Sequence, residues 1–415
     1  MLLEFTVGNY LSIKNKTTLS LFAVPIKEHK ETNIFSTERY ELLKGAVIYG
    51  ANASGKSNFI KAMSTMRRLV LQSFEQSSTA ELDIAPFLLS TETEKTDSFF
   101  EAIFMVDNIR YRYGFELDNH SINTEWLFES QKKTEKPLFI REHDGIEVMS
   151  RSFPEGKDLE KRTRDNALFL AVVDQFNGKV SKKIMKWFNN FITISGLKHE
   201  GYKGLTLEML KNKQTQATLL SFCKTLDLGF NDLAISKEPF DDEELARQLL
   251  SDFEGAFKFD IKTTHKKYDA KNKVIEQIEF DMRSQESSGT NKLFNISGSI
   301  FNVLNNGGLL VIDDLHTSLH PLLTITITKL FNSKEYNRNN AQLIFATHDT
   351  NILNYGNYRR DQIYFVEKNK YGESEMYSLV EYKDVGKTIR RDKDYLEGRY
   401  GAIPFISNLS GIVTK

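Results

Sequence analysis

The chain has 415 residues, enough for two or three domains or for one large head carrying insertions. Its 40% hydrophobic and 27% charged residues are the balance of a soluble globular protein, and a net charge of −1 places no global demand for nucleic acid, so any such surface must be local. A single cysteine, Cys223, excludes an internal disulfide and a cysteine-based metal cluster. The N-terminus lacks a basic segment followed by an apolar core, and no apolar run reaches the length of a membrane span, so the expected compartment is the cytoplasm.

In chain order, Leu3, Phe5 and Val7 alternate on one face, a turn follows at Gly8-Asn9, and Leu19, Leu21 and Ala23 predict a second strand. Ala46-Val47-Ile48-Tyr49 reads as a short buried strand. Directly after it, Gly50-Ala51-Asn52-Ala53-Ser54-Gly55-Lys56-Ser57-Asn58 fits G-x-x-x-x-G-K-[ST], a loop whose backbone N–H groups converge on a nucleotide's phosphates. Phe59, Ile60, Met63, Met66, Leu69 and Val70 then recur at helical spacing. Strand, glycine loop and helix stand in the order phosphate binding requires. In such a loop Lys56 reaches the β- and γ-phosphates, and the Ser57 hydroxyl ligates Mg²⁺.

Farther along, Phe99 to Met105, Ile109 to Leu117 and Ile122 to Phe128 predict strands in an aromatic-rich antiparallel block over 99–150. A helical stretch begins near Asn166, and residues 181–260 read as a mostly helical, polar insertion containing Lys198, Lys203, Lys211 and Lys213. Ile261–Thr264 and Val274–Met282 read as a hairpin. Leu309-Leu310-Val311-Ile312 and Leu343-Ile344-Phe345-Ala346 are continuous apolar runs separated by a helical segment, a βαβ pattern with buried parallel strands. The expected domains are thus an N-terminal part at 1–180, the insertion at 181–260 and a C-terminal part at 261–415.

Three further patterns belong with the phosphate loop. Asp313 and Asp314 end an apolar strand, as in P-loop ATPases where one acid serves Mg²⁺ and a second polarises water. Ser287-Ser288-Gly289 precedes a helix, where N–H groups and a hydroxyl meet a γ-phosphate or simply cap the helix. His348 follows the next buried strand, at the sheet edge where ligands bind in this architecture.

Taken in order, phosphate loop, Ser-Gly turn, apolar-Asp-Asp, Ser318-Leu319-His320-Pro321 and Thr347-His348 resemble the ATPase heads of the ABC superfamily, in particular the SMC, RecF and OLD branch. The opening FTVGNYLSIKNKTTLSLF and the loop GANASGKSN are similar to that branch as well. A narrower resemblance, carried by NALFLAVVDQFN, SSGTNKLF, VIDDLHTSLHP, FATHDTNIL and YLEGRYGAIP, is to the RloA/AbiL-type AAA ATPases associated with restriction loci and abortive infection.

The resemblance implies an α/β fold, an ABC-type P-loop ATPase head with a mixed sheet core, an antiparallel β subdomain and a helical insertion. It implies ATP and Mg²⁺ as cofactors, with Gly50 to Asn58 on phosphate and Ser57 and Asp313 on the metal. Asp314 would polarise water, and His348 would contact the γ-phosphate. Ser287 and Gly289 would complete the site of a second copy, with Ser318 to His320 crossing between copies, so that ATP bridges a homodimer or a higher assembly of such dimers. Where the family usually has Glu, this chain has Asp314, which implies slow hydrolysis. Related OLD proteins append a Toprim nuclease after the ATPase core; the stretch after His348 is too short for one, so the expected effector is a separate nuclease or toxin. The alternative is a RecF/SMC-like DNA-repair or DNA-clamping ATPase, with the lysines at 198–213 and Lys266-Lys267 as its DNA contacts. No membrane partner is expected.

Overall fold

The computed structural model describes residues 1–132, 134–239, 257–355, 357–382 and 390–404. Two units divide the chain: Met1–Leu197, Val303–Thr317 and Thr324–Lys415 form one, and Lys198–Asn302 with Ser318–Leu323 form the other.

The first unit is built on a six-stranded sheet. Its order is Phe191–Ser195, Leu309–Asp313, Gln342–Ala346, Gly45–Tyr49, Ile363–Lys368 and Ser374–Ser378. All neighbours are parallel except the last pair. Gly45–Tyr49 and Gln342–Ala346 are buried at every residue, which is why they read as unbroken apolar runs and not as alternating ones. Helix Lys56–Gln72 lays Phe59, Ile60, Met63, Met66, Leu69 and Val70 into the core, the face its spacing predicts.

A seven-stranded antiparallel sheet makes the other layer of this unit. From Thr17–Ser20 it runs through Leu2–Gly8, Ser98–Val106, Ile109–Leu117, Ile122–Ser130 and Lys136–Glu142 to Gly145–Val148. The turn at Asp107 and Asn108 takes positive φ at both residues, 50° and 62°, the mirror-image turn that matches strand twist in a tight hairpin. Phe104 of this sheet stacks on Trp187 of helix Lys179–Asn189 at 4.1 Å between ring centroids, so aromatic packing ties the sheet to its helical neighbours. The fold class is the expected one: an α/β head with a mixed sheet core and an antiparallel β subdomain.

The second unit packs helices Gly204–Leu210 and Lys213–Thr225 with a three-stranded antiparallel sheet, Asp232–Pro239, Phe257–Tyr268 and Val274–Asp281. Leu207, Leu219, Cys223, Phe230, Leu233 and Phe294 form its core. Burial pushes the Cys223 thiol up to about 12, so this cysteine is a small core hydrophobe.

The stretch read as a mostly helical insertion, 181–260, holds strands beside its helices among the described residues. Phe191–Ser195 is the edge strand of the six-stranded sheet, and Asp232–Pro239 belongs to the second unit's sheet. Phe-Ile-Thr-Ile-Ser is β-branched and alternating, but it directly follows an amphipathic helix and is too short to show its own period. Residues 240–256 lie outside the described part.

Lys44 enters the first unit just before the phosphate-loop strand and is only 2% exposed. Burial, reinforced by the charge of Lys334, brings its pKa down from the ordinary lysine range to about 8. The unfolded chain holds this proton to about pH 10.4. Stability should therefore rise as pH climbs from about 8 toward 10, because the unfolded state binds the extra proton there. Urea melts of wild type and Lys44→Met across that window check this: the variant should lack the rise.

Candidate functional site

The phosphate loop is shaped by two positions that exclude a side chain. A Cβ on Gly50 would lie 2.2 Å from the Val366 carbonyl oxygen. Gly55 caps helix Lys56–Gln72 at φ +113°, and a Cβ there would lie 2.1 Å from Ser374 Oγ. A hydrogen-bonded chain supports the loop from behind: Asn58 Nδ2 to Ser12 Oγ at 2.7 Å, Ser12 Oγ with Ser374 Oγ at 2.8 Å, and Ser374 Oγ to the Ser54 carbonyl at 2.7 Å. The side-chain amide of Asn58 is thus turned to Ser12. Asn52 and Ala53 form the exposed tip of the loop. Gly55→Ala should destabilise the fold by about 2 kcal/mol or more, through steric overlap and a strained φ, and should impair nucleotide binding. Thermal unfolding and a nucleotide titration check both effects.

Strand register brings the remaining groups level with the loop. Ile312 pairs with Phe345, and Ala346 pairs with Ile48, so the carboxyl ends of three adjacent strands stop together. The first delivers Asp313, the second Thr347-His348, and the third Gly50. Asp313 bonds the Ser57 hydroxyl and the Asp314 backbone N–H. Burial foremost, then repulsion from Asp314, raises its pKa against the opposing pull of Ser57 and Lys56. Asp314 leaves the strand at φ 46°, and Leu315 N–H bonds the Ala346 carbonyl at 3.2 Å, which fixes the turn that carries it.

Lys56 is 4% exposed, and its Nζ donates to the carbonyls of Gly50 and Ala51, both at 2.9 Å. Burial lowers its pKa, opposed by Asp314 and Asp313. The His348 ring donates to the Gly50 backbone carbonyl; burial first and the Lys56 charge second lower its pKa, so at neutral pH the ring is uncharged and keeps one N–H. His316, which the sequence reading passed over, stands 5.5 Å from His348 in an edge-to-face pair. Its one signal is position, two residues past Asp314 at the same sheet edge.

These residues fit a magnesium nucleotide. Ser54 Oγ and Asp313 Oδ1 are buried without hydrogen-bond partners among the described residues, an arrangement that costs free energy unless something occupies the site. Among the described residues no cluster of three or more His, Cys, Asp or Glu is placed to hold a metal by itself. One carboxylate and one hydroxyl, completed by phosphate oxygens and water, is the usual provision for Mg²⁺.

Ser287 and Gly289 lie in the second unit. Ser287 Oγ accepts from Thr290 N–H at 3.1 Å and lies 2.9 Å from Thr290 Oγ1, capping helix Ser288–Asn306. A Cβ on Gly289 would stand 2.6 Å from the Ser318 carbonyl, so the Ser-Gly turn and the Ser318–His320 loop are in backbone contact within this unit. Thr263 and His265 Nε2 both bond Glu286, next to the turn, with His265 at 2.7 Å. No sequence signal connected these residues to the turn.

The conspicuous C-terminal segment has a structural place. Tyr395 stacks on Phe365 at 5.4 Å and touches Tyr49, the last strand residue before the loop, at 5.7 Å. Arg391 bonds Glu28 and the Tyr358 carbonyl, Arg399 pairs with Asp394, and Arg390 pairs with Asp392. These three arginines tie the segment to the first unit or to itself.

The family described as "AAA domain, putative AbiEii toxin, Type IV TA system" matches this chain over residues 46–354, well over half its length. No curated protein matches it. Among solved structures the chain is similar to the SMC head domain from Thermotoga maritima, at 11% identity and a TM-score of 0.40, covering 91% of this chain and 98% of that one. Among the described residues no helix is long and apolar enough to cross a membrane.

Proposed function

We propose, from the premise that this chain belongs to the AAA-domain family just described, that it is an ATPase which dimerises on ATP and governs a separate effector, a nuclease or toxin, in bacterial defence against phage. The observation that carries the reading is the convergence of Lys56, Ser57 with Asp313, and His348 around Gly50, while the Ser-Gly turn sits on the other unit of the chain. The narrower resemblance to RloA/AbiL-type ATPases, which accompany restriction loci, supports placing the effector on a different chain.

In this reading the backbone of Gly50–Gly55 cradles the phosphates, and Ser57 and Asp313 hold Mg²⁺. Bound Mg–ATP supplies the phosphoryl group and the metal charge that offsets its oxygens. Lys56 leaves the carbonyls of Gly50 and Ala51 for the phosphates. His348 turns its single N–H from the Gly50 carbonyl to the γ-phosphate. Asp314 orients water, with one methylene less reach than glutamate. Ser287 and Gly289 from a second copy close the site, so ATP reports on assembly.

The DNA-clamping alternative lacks a specific observation in its favour. Of its candidate lysines, Lys211 pairs with Glu208 and Lys267 with Glu276, as on a solvated mixed-charge face. Affinity purification of the tagged chain from its host, with and without ATP, tests the proposal. One effector protein should co-purify in an ATP-dependent way and be absent with Lys56→Ala. Salt-sensitive DNA retention with no protein partner would overturn it.

A further inference from the structure

At the opposite end of the phosphate-loop strand from Gly50, the first unit carries an open cavity of about 370 Å³. It lies roughly 20 Å from the phosphate loop along a strand that rises about 3.3 Å per residue. Its lining brings together segments 30–44 and 334–340. Four of its side chains are cationic, Lys30, Lys44, Lys334 and Arg338, against two carboxylates, Glu31 and Glu41. Both carboxylates are already engaged, Glu41 by Lys30 at 3.3 Å and Glu31 by Lys334 at 3.6 Å. Lys44 and Arg338 have no carboxylate partner among the described residues.

Lys44 is the informative member. It is 2% exposed, and its Nζ has one hydrogen bond among the described residues, to the Asn332 carbonyl at 3.2 Å. Capping the C-terminal end of helix Pro321–Asn332 explains that single bond. It leaves two ammonium donors unused in a desolvated place, where an unpaired charge is strongly unfavourable. Beside it, Asn332 Nδ2 is buried and has no partner among the described residues. Arg338 spends only Nε, on the Glu335 carbonyl at 3.0 Å, and keeps the planar fork of its guanidinium free for a tetrahedral or planar anion. Ile34 and Phe35, each 7% exposed, line an apolar wall.

We propose that this cavity is a second anion site, distinct from the phosphate loop, which takes a phosphate monoester dianion carried on a small organic body. Two positive charges left over after internal pairing match a dianion. The buried Lys44 ammonium and the Arg338 fork supply the donors, and the Ile34–Phe35 wall receives the organic part. The volume is within the range of small-ligand sites and suits a body of mononucleotide size or less. The site stands independently of the ATPase reading, since none of its residues takes part in the phosphate loop.

Calorimetric titration of the full chain with inorganic phosphate and with AMP tests it, using wild type, Lys44→Met, Arg338→Gln and Lys56→Ala. Saturable binding should weaken about tenfold or more in Lys44→Met, the loss of one charge-assisted hydrogen bond. Arg338→Gln, an exposed change that leaves the fold intact, should also weaken it. Lys56→Ala, which impairs the phosphate loop, should retain this Lys44-dependent saturable phase and lose only binding that belongs to the loop. Binding that survives Lys44→Met and Arg338→Gln but disappears in Lys56→Ala would assign the anion to the phosphate loop and overturn the proposal. Absence of saturable binding by either probe would overturn it too, and AMP binding no tighter than phosphate would overturn the organic-body assignment.

Discussion

Lys56→Ala is expected to lose ATP affinity by about 10- to 10²-fold, because a charge-assisted hydrogen bond to phosphate contributes about 1.5–3 kcal/mol and each 1.4 kcal/mol is tenfold. The variant should still fold. Lys56 is a buried cation whose pKa is already lowered by desolvation, so its removal takes away a charge that burial disfavours. Equilibrium dialysis with labelled ATP measures the first effect, and circular dichroism the second. In phage-challenged cells the variant should give no protection; full protection would remove ATP from the account.

The second large effect concerns Asp314. Asp314→Glu should raise the ATP turnover rate, by up to about 10²-fold, since a misplacement of about one ångström at a reacting group is worth that much. Asp314→Asn should reduce turnover below wild type while leaving nucleotide affinity nearly unchanged. The backbone gives a reason for the shorter acid. At φ 46° the residue sits in the left-handed region, where Asp is tolerated better than Glu. The glutamate variant should therefore gain rate and lose a little thermal stability. Single-turnover hydrolysis and a melting curve separate the two.

The core of the site is legible in the amino-acid sequence for physical reasons. A strand buried on both faces must be a continuous apolar run, and a loop that wraps phosphate must have glycine where Val366 and Ser374 leave no room for Cβ. Asp313 and His348 are readable because parallel strands in register stop at one edge. What surrounds them was not readable. Ser12 and Ser374 are hundreds of positions apart and meet only when Ser374–Ser378, a polar edge strand without an apolar pattern, pairs with Ile363–Lys368. The role of Asn58 depends on that meeting. The cavity at Lys44 is assembled from charges scattered over two distant segments, each of which reads as an ordinary solvated face. The arginines of the C-terminal segment, whose contacts the sequence alone does not rank, are ion-paired or hydrogen-bonded within the first unit.

The family makes this an ATPase of the AAA-domain type; the central claim beyond that is that Gly50–Asn58 is half a site. Specific ATPase activity measured against protein concentration, from nanomolar to tens of micromolar, tests it most directly, with Ser287→Arg as the control. A composite site predicts activity per chain that climbs with concentration and is abolished in Ser287→Arg. Wild-type activity per chain that stays constant over the range, and is matched by Ser287→Arg, would contradict it.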